Sequence, residues 1–131
     1  MNCRNQQGSI RARVVAKSND GGQTWNHIST DPQLPDPICE GSLLNIGRKN
    51  GKCILAFCNA ADTAQRNNLT LRISYNEGRS WTHNILIDKT TEKKIDFTAY
   101  SDIVLINKNQ IGVLYEWDDY KEIVWRVVDL R

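Results

Sequence analysis

Two eight-residue segments, Ser18-Asn-Asp-Gly-Gly-Gln-Thr-Trp25 and Ser74-Tyr-Asn-Glu-Gly-Arg-Ser-Trp81, share the pattern Ser-x-(Asp/Asn)-x-Gly-x-(Thr/Ser)-Trp, and each lies between short apolar segments. The chemistry is that of a folded hairpin. Asp20 or Asn76 accepts backbone N–H groups inside the turn, and Gly22 or Gly78 takes φ > 0. Ser18 and Ser74 open the two elements. Trp25 and Trp81 are expected to pack beneath them as core residues, and Asp20 and Asn76 to serve the turn rather than catalysis or calcium. The repeats begin 56 residues apart, room for one four-stranded blade and its loops, and repetition at that period points to a β-propeller.

The rest of the chain agrees. Apolar segments are short, β-branched or aromatic, and bounded by Gly, Asn, Asp or Pro. Strands are expected at 11–18, 24–28, 42–46, 52–58, 69–75, 81–87, 102–106, 111–116 and 122–128, with no helical period anywhere. Asp31 to Pro37 carries three prolines and reads as a loop. One unit, 1–131, then comprises a half blade over 1–30, a complete blade over about 40–90 and three strands over about 100–130. That is a partial propeller of about two to three blades, fewer than the roughly four a closed ring needs.

Composition excludes several functions. Seventeen basic and fifteen acidic side chains leave a net charge of +2, too small to drive nucleic-acid or membrane-surface binding by field alone. No apolar run approaches the ~20 residues of a membrane span, and the first residues lack the apolar stretch of a secretory leader. Cys3, Cys39, Cys53 and Cys58 contain no Cys-x-x-Cys pair. They read as packing residues, with no metal and no cofactor expected.

The eight-residue repeat resembles the Asp box of sialidases, which also occurs in other propeller proteins. The flanking segments are similar to sialidases as well. Asn2-Cys-Arg4 with Gly8 and Arg11 to Trp25 resembles the segment holding the second arginine of the family's carboxylate-binding triad, which implies that role for Arg4. Cys39-Glu-Gly-Ser-Leu-Leu44 resembles a Cys-Gln-Gly-Ser segment, with Glu40 in place of glutamine. Arg66-Asn-Asn-Leu-Thr-Leu-Arg-Ile-Ser74 resembles the segment of the third arginine, here Arg66. Ala99-Tyr-Ser-Asp102 resembles that of the tyrosine nucleophile, here Tyr100. Gly112-Val-Leu-Tyr-Glu116 resembles a late strand whose glutamate, Glu116, braces a triad arginine.

The resemblance implies a six-bladed sialidase propeller of which this chain is a C-terminal part. It implies an exo-α-sialidase releasing terminal sialic acid from a sialylated glycan, by a retaining mechanism through a tyrosyl intermediate. These residue types suit the substrate. Guanidinium forks pair with a carboxylate as lysine does not, and a neutral phenol approaches a carbon beside a carboxylate without the repulsion an Asp or Glu would meet. The family's first arginine, its aspartate acid/base and the glutamate that takes the tyrosine's proton lie upstream of the Arg4 segment, so the chain alone is expected to be nearly inactive. Its expected partner is the missing N-terminal part or another copy of itself. A bacterial parent would imply a secreted, periplasmic or cell-surface location. A trans-sialidase and a non-catalytic carbohydrate-binding Asp-box propeller are the alternatives. Arg11, Arg13 and Arg72 are expected to be strand-face charges, and Asp118, Asp119 and Glu122 a solvated turn. Glu40 is expected either at a pocket rim or at an exposed strand end.

Overall fold

The computed structural model describes residues 1–93 and 96–130. It is all-β, as expected. Strands β1 (Asn2–Cys3), β2 (Ala12–Lys17) and β3 (Asn26–Pro35) form one sheet. A second sheet holds β4 (Gly41–Lys49), β5 (Lys52–Ala60), β6 (Leu69–Ser74) and β7 (His83–Asp88), and a third holds β8 (Thr98–Asn107), β9 (Gln110–Trp117) and β10 (Glu122–Asp129). Within each sheet, neighbouring strands run antiparallel.

The middle sheet is covered on both faces, and strand alternation assigns its residues to two cores. Ala56 and Cys58 of β5, with Leu69, Leu71 and Ile73 of β6, pack against Ile103, Ile111, Val113 and Tyr115 of the third sheet. From the opposite face Phe57 meets Trp81 and Leu34 of β3, both cores being buried. Each of the larger aliphatic and aromatic side chains among them contributes roughly 1.5–3 kcal/mol by leaving water. Tyr115 adds a polar tie, its hydroxyl donating to Asp88 Oδ2 at 2.7 Å.

The two hairpin turns use one bonding scheme. Ser18 Oγ accepts the Gly22 N–H at 2.8 Å while Asp20 Oδ1 accepts the Thr24 N–H at 2.9 Å. Ser74 Oγ accepts the Gly78 N–H and Asn76 Oδ1 the Ser80 N–H, both at 2.9 Å. Left-handed φ values of 94° at Gly22 and 78° at Gly78 close the turns. One bond reverses direction: Thr24 Oγ1 donates to Asp20, whereas Asn76 Nδ2 donates to Ser80 Oγ. These donors hold the Asp20 carboxyl well below the usual carboxylate range, the Ser18 and Thr24 hydroxyls foremost.

Four expectations are corrected. Asp31 to Pro35 belongs to β3 and is not a loop. Proline is tolerated because β3 is an edge strand and its pairing jumps from Arg13↔Asp31 to Ala12↔Pro35, so Pro32 falls in a bulge. Trp25 is 40% exposed whereas Trp81 is 8% exposed. Trp81 is covered by Phe57 and donates its indole N–H to Asp31 at 3.2 Å, and among the described residues no sheet covers the first hairpin in that way. Arg13 and Arg72 are buried rather than strand-face charges. Arg13 pairs with buried Asp36 at 3.1 Å, and Arg72 donates to Asn59 Oδ1 at 3.1 Å. Finally, the first sheet has three strands, because Asn2 and Cys3 pair with Val15 and Val14.

Candidate active site

The site residues lie at strand ends, where ladder pairing stops and side chains become available. Tyr100 sits in an irregularity of β8. Thr98 faces Trp117 and Ser101 faces Tyr115, so Ala99 and Tyr100 together oppose Glu116. A bulge of this kind re-aims one side chain and leaves its backbone to find other partners. Glu116 Oε2 accepts the Tyr100 N–H at 3.2 Å, and Glu40 Oε2 accepts the next N–H, that of Ser101, at 2.9 Å. Two carboxylates thereby satisfy the distorted segment, and the Tyr100 ring emerges half-exposed between buried Ala99 and Ser101. The resemblance gives Glu116 an arginine to brace; the structure gives it the amide of Tyr100.

Glu40 is half-buried at the junction of the sheets. Burial raises its carboxyl pKa, opposed by the Ser101 N–H and by the charge of Arg13. With Tyr100 it lines two adjoining clefts. One, of about 370 Å³, also contains Leu114, Glu116 and Ile123. The other, of about 360 Å³, contains Asn2, Arg4 and Arg13.

Two arginines from separate segments of the chain converge on Tyr100. Arg4 follows β1, and Arg13 steadies that short strand by donating to Asn2 Oδ1 at 2.7 Å. Arg4 Nη1 donates to the Tyr100 hydroxyl oxygen at 3.1 Å. Arg66 lies just before β6, its guanidinium carbon 5.4 Å from the centre of the Tyr100 ring, a cation–π distance. Arg4, Arg66 and Tyr100 thus meet in one cluster, while Glu116 supports the backbone behind it. The paired hairpin residues lie outside this cluster, in the turns already described.

Two members of the cluster escaped the sequence reading. Tyr120 accepts from Arg66 Nη1 at 2.6 Å and donates to Asp96 Oδ2 at 2.6 Å. Asp96 also lies 3.6 Å from Arg66 Nε. Burial, then the bond to Asp96, pushes the Tyr120 phenol up to about 12. The turn that presents it contains three consecutive left-handed residues, Asp118, Asp119 and Tyr120, at φ 49°, 56° and 65°. Such conformations cost on the order of 1–3 kcal/mol each outside glycine and persist only where the surroundings enforce them. The Asp-Asp-Tyr turn was visible in the sequence; its contact with Arg66, 54 residues away, was not.

Chemically, a guanidinium beside an open cleft, as Arg4 is, suits a carboxylate. Among the described residues no group of three or more His, Cys, Asp or Glu is arranged to hold a metal.

Comparison with known proteins bears on the family and the fold. Residues 1–115 match the BNR repeat-like domain family. A sialidase of Bacteroides fragilis is 36% identical over 122 residues, covering 88% of this chain and 21% of that protein. A sialidase of Micromonospora viridifaciens is 29% identical over 120 residues, covering 86% of this chain and 18% of its own length. Among solved structures, Hadza microbial sialidase Hz136 superposes with a TM-score of 0.80 at 29% identity, covering 98% of this chain and 24% of that one. The NanB sialidase of Streptococcus pneumoniae, at 21% identity and a TM-score of 0.65 over 88% of this chain and 18% of that one, supports the fold alone. The chain spans about a fifth of the length of these two curated relatives. Its three sheets are part of a sialidase-type propeller.

Proposed function

The chain belongs to the BNR repeat-like domain family, and from that premise we propose that it carries part of the active site of an exo-α-sialidase. The observation that carries this reading is the convergence on Tyr100 of Arg4, which hydrogen-bonds its hydroxyl, and Arg66, which lies over its ring. The three residues come from separate segments of the chain, Arg4 after β1, Arg66 before β6 and Tyr100 within β8.

In the proposed reaction Arg4 and Arg66 hold the substrate carboxylate, which sets the anomeric carbon against the Tyr100 oxygen. The phenol loses its proton to a base outside this chain, and Arg4 stabilises the developing phenolate. The Tyr100 oxygen bonds to the anomeric carbon as the bond to the leaving oxygen breaks, and an acid outside this chain protonates that oxygen. Water then attacks the same carbon, releasing sialic acid with retained configuration and returning Tyr100 as a phenol. Glu116 and Glu40 keep the bulge that aims Tyr100.

The test is hydrolysis of a fluorogenic α-sialoside by a polypeptide that joins this chain to the remaining sheets of a sialidase propeller. Tyr100→Phe removes only the attacking oxygen and is expected to abolish turnover while leaving the fold intact. Turnover equal to the parent's would overturn the assignment.

A further inference from the structure

We propose that Tyr120 is a positioning residue, whose hydroxyl bridges Arg66 to Asp96 and keeps the Arg66 guanidinium over the Tyr100 ring, free to take an external carboxylate. This rests on the reading of Arg66 as a carboxylate-binding group. The geometry makes the phenol a spacer. Asp96 stands 3.6 Å from Arg66 Nε, beyond the 2.7–2.9 Å of a charge-assisted bond, while the Tyr120 oxygen lies 2.6 Å from both Arg66 Nη1 and Asp96 Oδ2. A hydroxyl is suited to this bridge, since it donates its single proton to the carboxylate and accepts from the guanidinium. Phenylalanine at this position does neither. Without the bridge, Asp96 is free to close directly on Arg66, neutralising it and drawing it away from Tyr100.

The turn itself supports a fitted role. Asp118, Asp119 and Tyr120 all adopt left-handed backbone, and the turn is laced to the segment before β8. Asp119 N–H donates to Asp96 O at 2.8 Å, Asp96 N–H to Asp119 Oδ1 at 3.2 Å, and Asp118 N–H to Phe97 O at 3.1 Å. That segment is in turn held by Arg66 O, which accepts the N–H groups of Phe97 and Thr98, each at 2.9 Å. Arg66 and Tyr120 are therefore fixed to one frame through backbone bonds, with the phenol bridge as the adjustable link. Its raised ionisation, at about 12, keeps the bridging proton in place at neutral pH.

The experiment is a side-chain NMR titration of the 131-residue chain with N-acetylneuraminic acid, following the Arg66 Nε–H resonance, with backbone spectra reporting the fold. The wild type should show a saturable shift that Arg66→Ala abolishes. Tyr120→Phe should retain the fold, because the side chain is half-exposed, yet weaken binding roughly tenfold or more, the scale of one hydrogen bond to a charged group. The double variant Tyr120→Phe/Asp96→Asn should regain most of that loss, since an uncharged amide in place of the Asp96 carboxylate does not capture the guanidinium. A purely structural role for Tyr120 predicts no such recovery. Wild-type affinity in Tyr120→Phe, or a double variant no better than the single one, overturns the positioning role while leaving Arg66 as the ligand group. A wild-type chain whose titration matches that of Arg66→Ala removes the carboxylate reading and this proposal with it.

Discussion

Arg13→Met should be among the most destabilising single substitutions in the chain. Arg13 and Asp36 form an ion pair at 3.1 Å with side chains 3% and 1% exposed, and Arg13 also donates to Asn2 Oδ1 and to the Cys39 carbonyl. Methionine keeps a flexible chain of similar length but loses the guanidinium over the Phe57 ring and leaves Asp36, whose second oxygen has no hydrogen-bond partner among the described residues, as an uncompensated buried charge. Removing one member of such a pair costs about 3–5 kcal/mol, a large share of a total stability on the order of 10 kcal/mol. In urea, with a slope of roughly 2 kcal/mol per molar, the midpoint should fall by about 2 M. Arg13→Met/Asp36→Leu should regain most of this loss, because an apolar pair strands no charge. A single variant costing less than about 1 kcal/mol, or a double variant as poor as the single one, would refute the argument. The same variant should loosen β1, and with it Arg4, visible as faster amide exchange at Cys3.

Further expectations follow from the same geometry. Asn76→Asp should cost under about 1 kcal/mol, because Ser80 can turn its hydroxyl to donate as Thr24 does in the first hairpin, whereas Asn76→Ala loses the Ser74 and Ser80 bonds and should cost roughly 1–3 kcal/mol by thermal melt. Glu40 has a raised folded-state pKa, so its contribution to stability is present below its unfolded value and is lost as pH rises through the raised one; Glu40→Gln should abolish that component of a urea midpoint followed from about pH 4 to pH 7. Asp20 has the opposite sign, its contribution being lost as pH falls below the ordinary 3.8, and Asp20→Asn should flatten the acid limb. In sedimentation, the 15.0 kDa chain should self-associate through the outer face of the third sheet, and Ile123→Lys with Val127→Lys, at positions 63% and 50% exposed, should yield more monomer without loss of fold.

What the sequence revealed was what short-range chemistry determines. Both hairpins were legible because Ser, Asp or Asn and Gly act on backbone groups within four residues, and the middle strands because they are short apolar segments bounded by turn residues. Trp25 and Trp81 mark the limit of that logic. The same motif places both, but only Trp81 meets Phe57 and Asp31, and those partners are brought by other strands. Arg13 looked like a strand-face charge because its partners, Asp36 and the Cys39 carbonyl, lie 23 and 26 residues away. Tyr100 and Arg66 were singled out only by resemblance, which carries long-range information that spacing does not. Tyr120 was not, since nothing in Asp-Asp-Tyr announces three left-handed residues or an arginine above them.

The arrangement separates stability from chemistry along each strand. Apolar stacking occupies mid-strand positions such as Leu71, Ile103 and Val113, while Arg4, Glu40, Arg66, Tyr100 and Glu116 stand at ends, turns or the bulge. Substitutions at Arg4 or Arg66 should therefore leave the cores untouched. Glu40 and Glu116 are different, because their carboxylates complete the hydrogen bonding of a backbone segment that cannot pair with β9. Removing either leaves an N–H beside Tyr100 without its partner, and the competing arrangement slides β8 into regular register. A one-residue slip in a β-strand sends every following side chain to the opposite face, which would turn Tyr100 into the sheet stack and buried Ile103 out of it. The two glutamates thus hold the register of the strand as well as the aim of the phenol, and the apolar cost of losing Ile103 from the core is what keeps the bulge from relaxing while they remain in place.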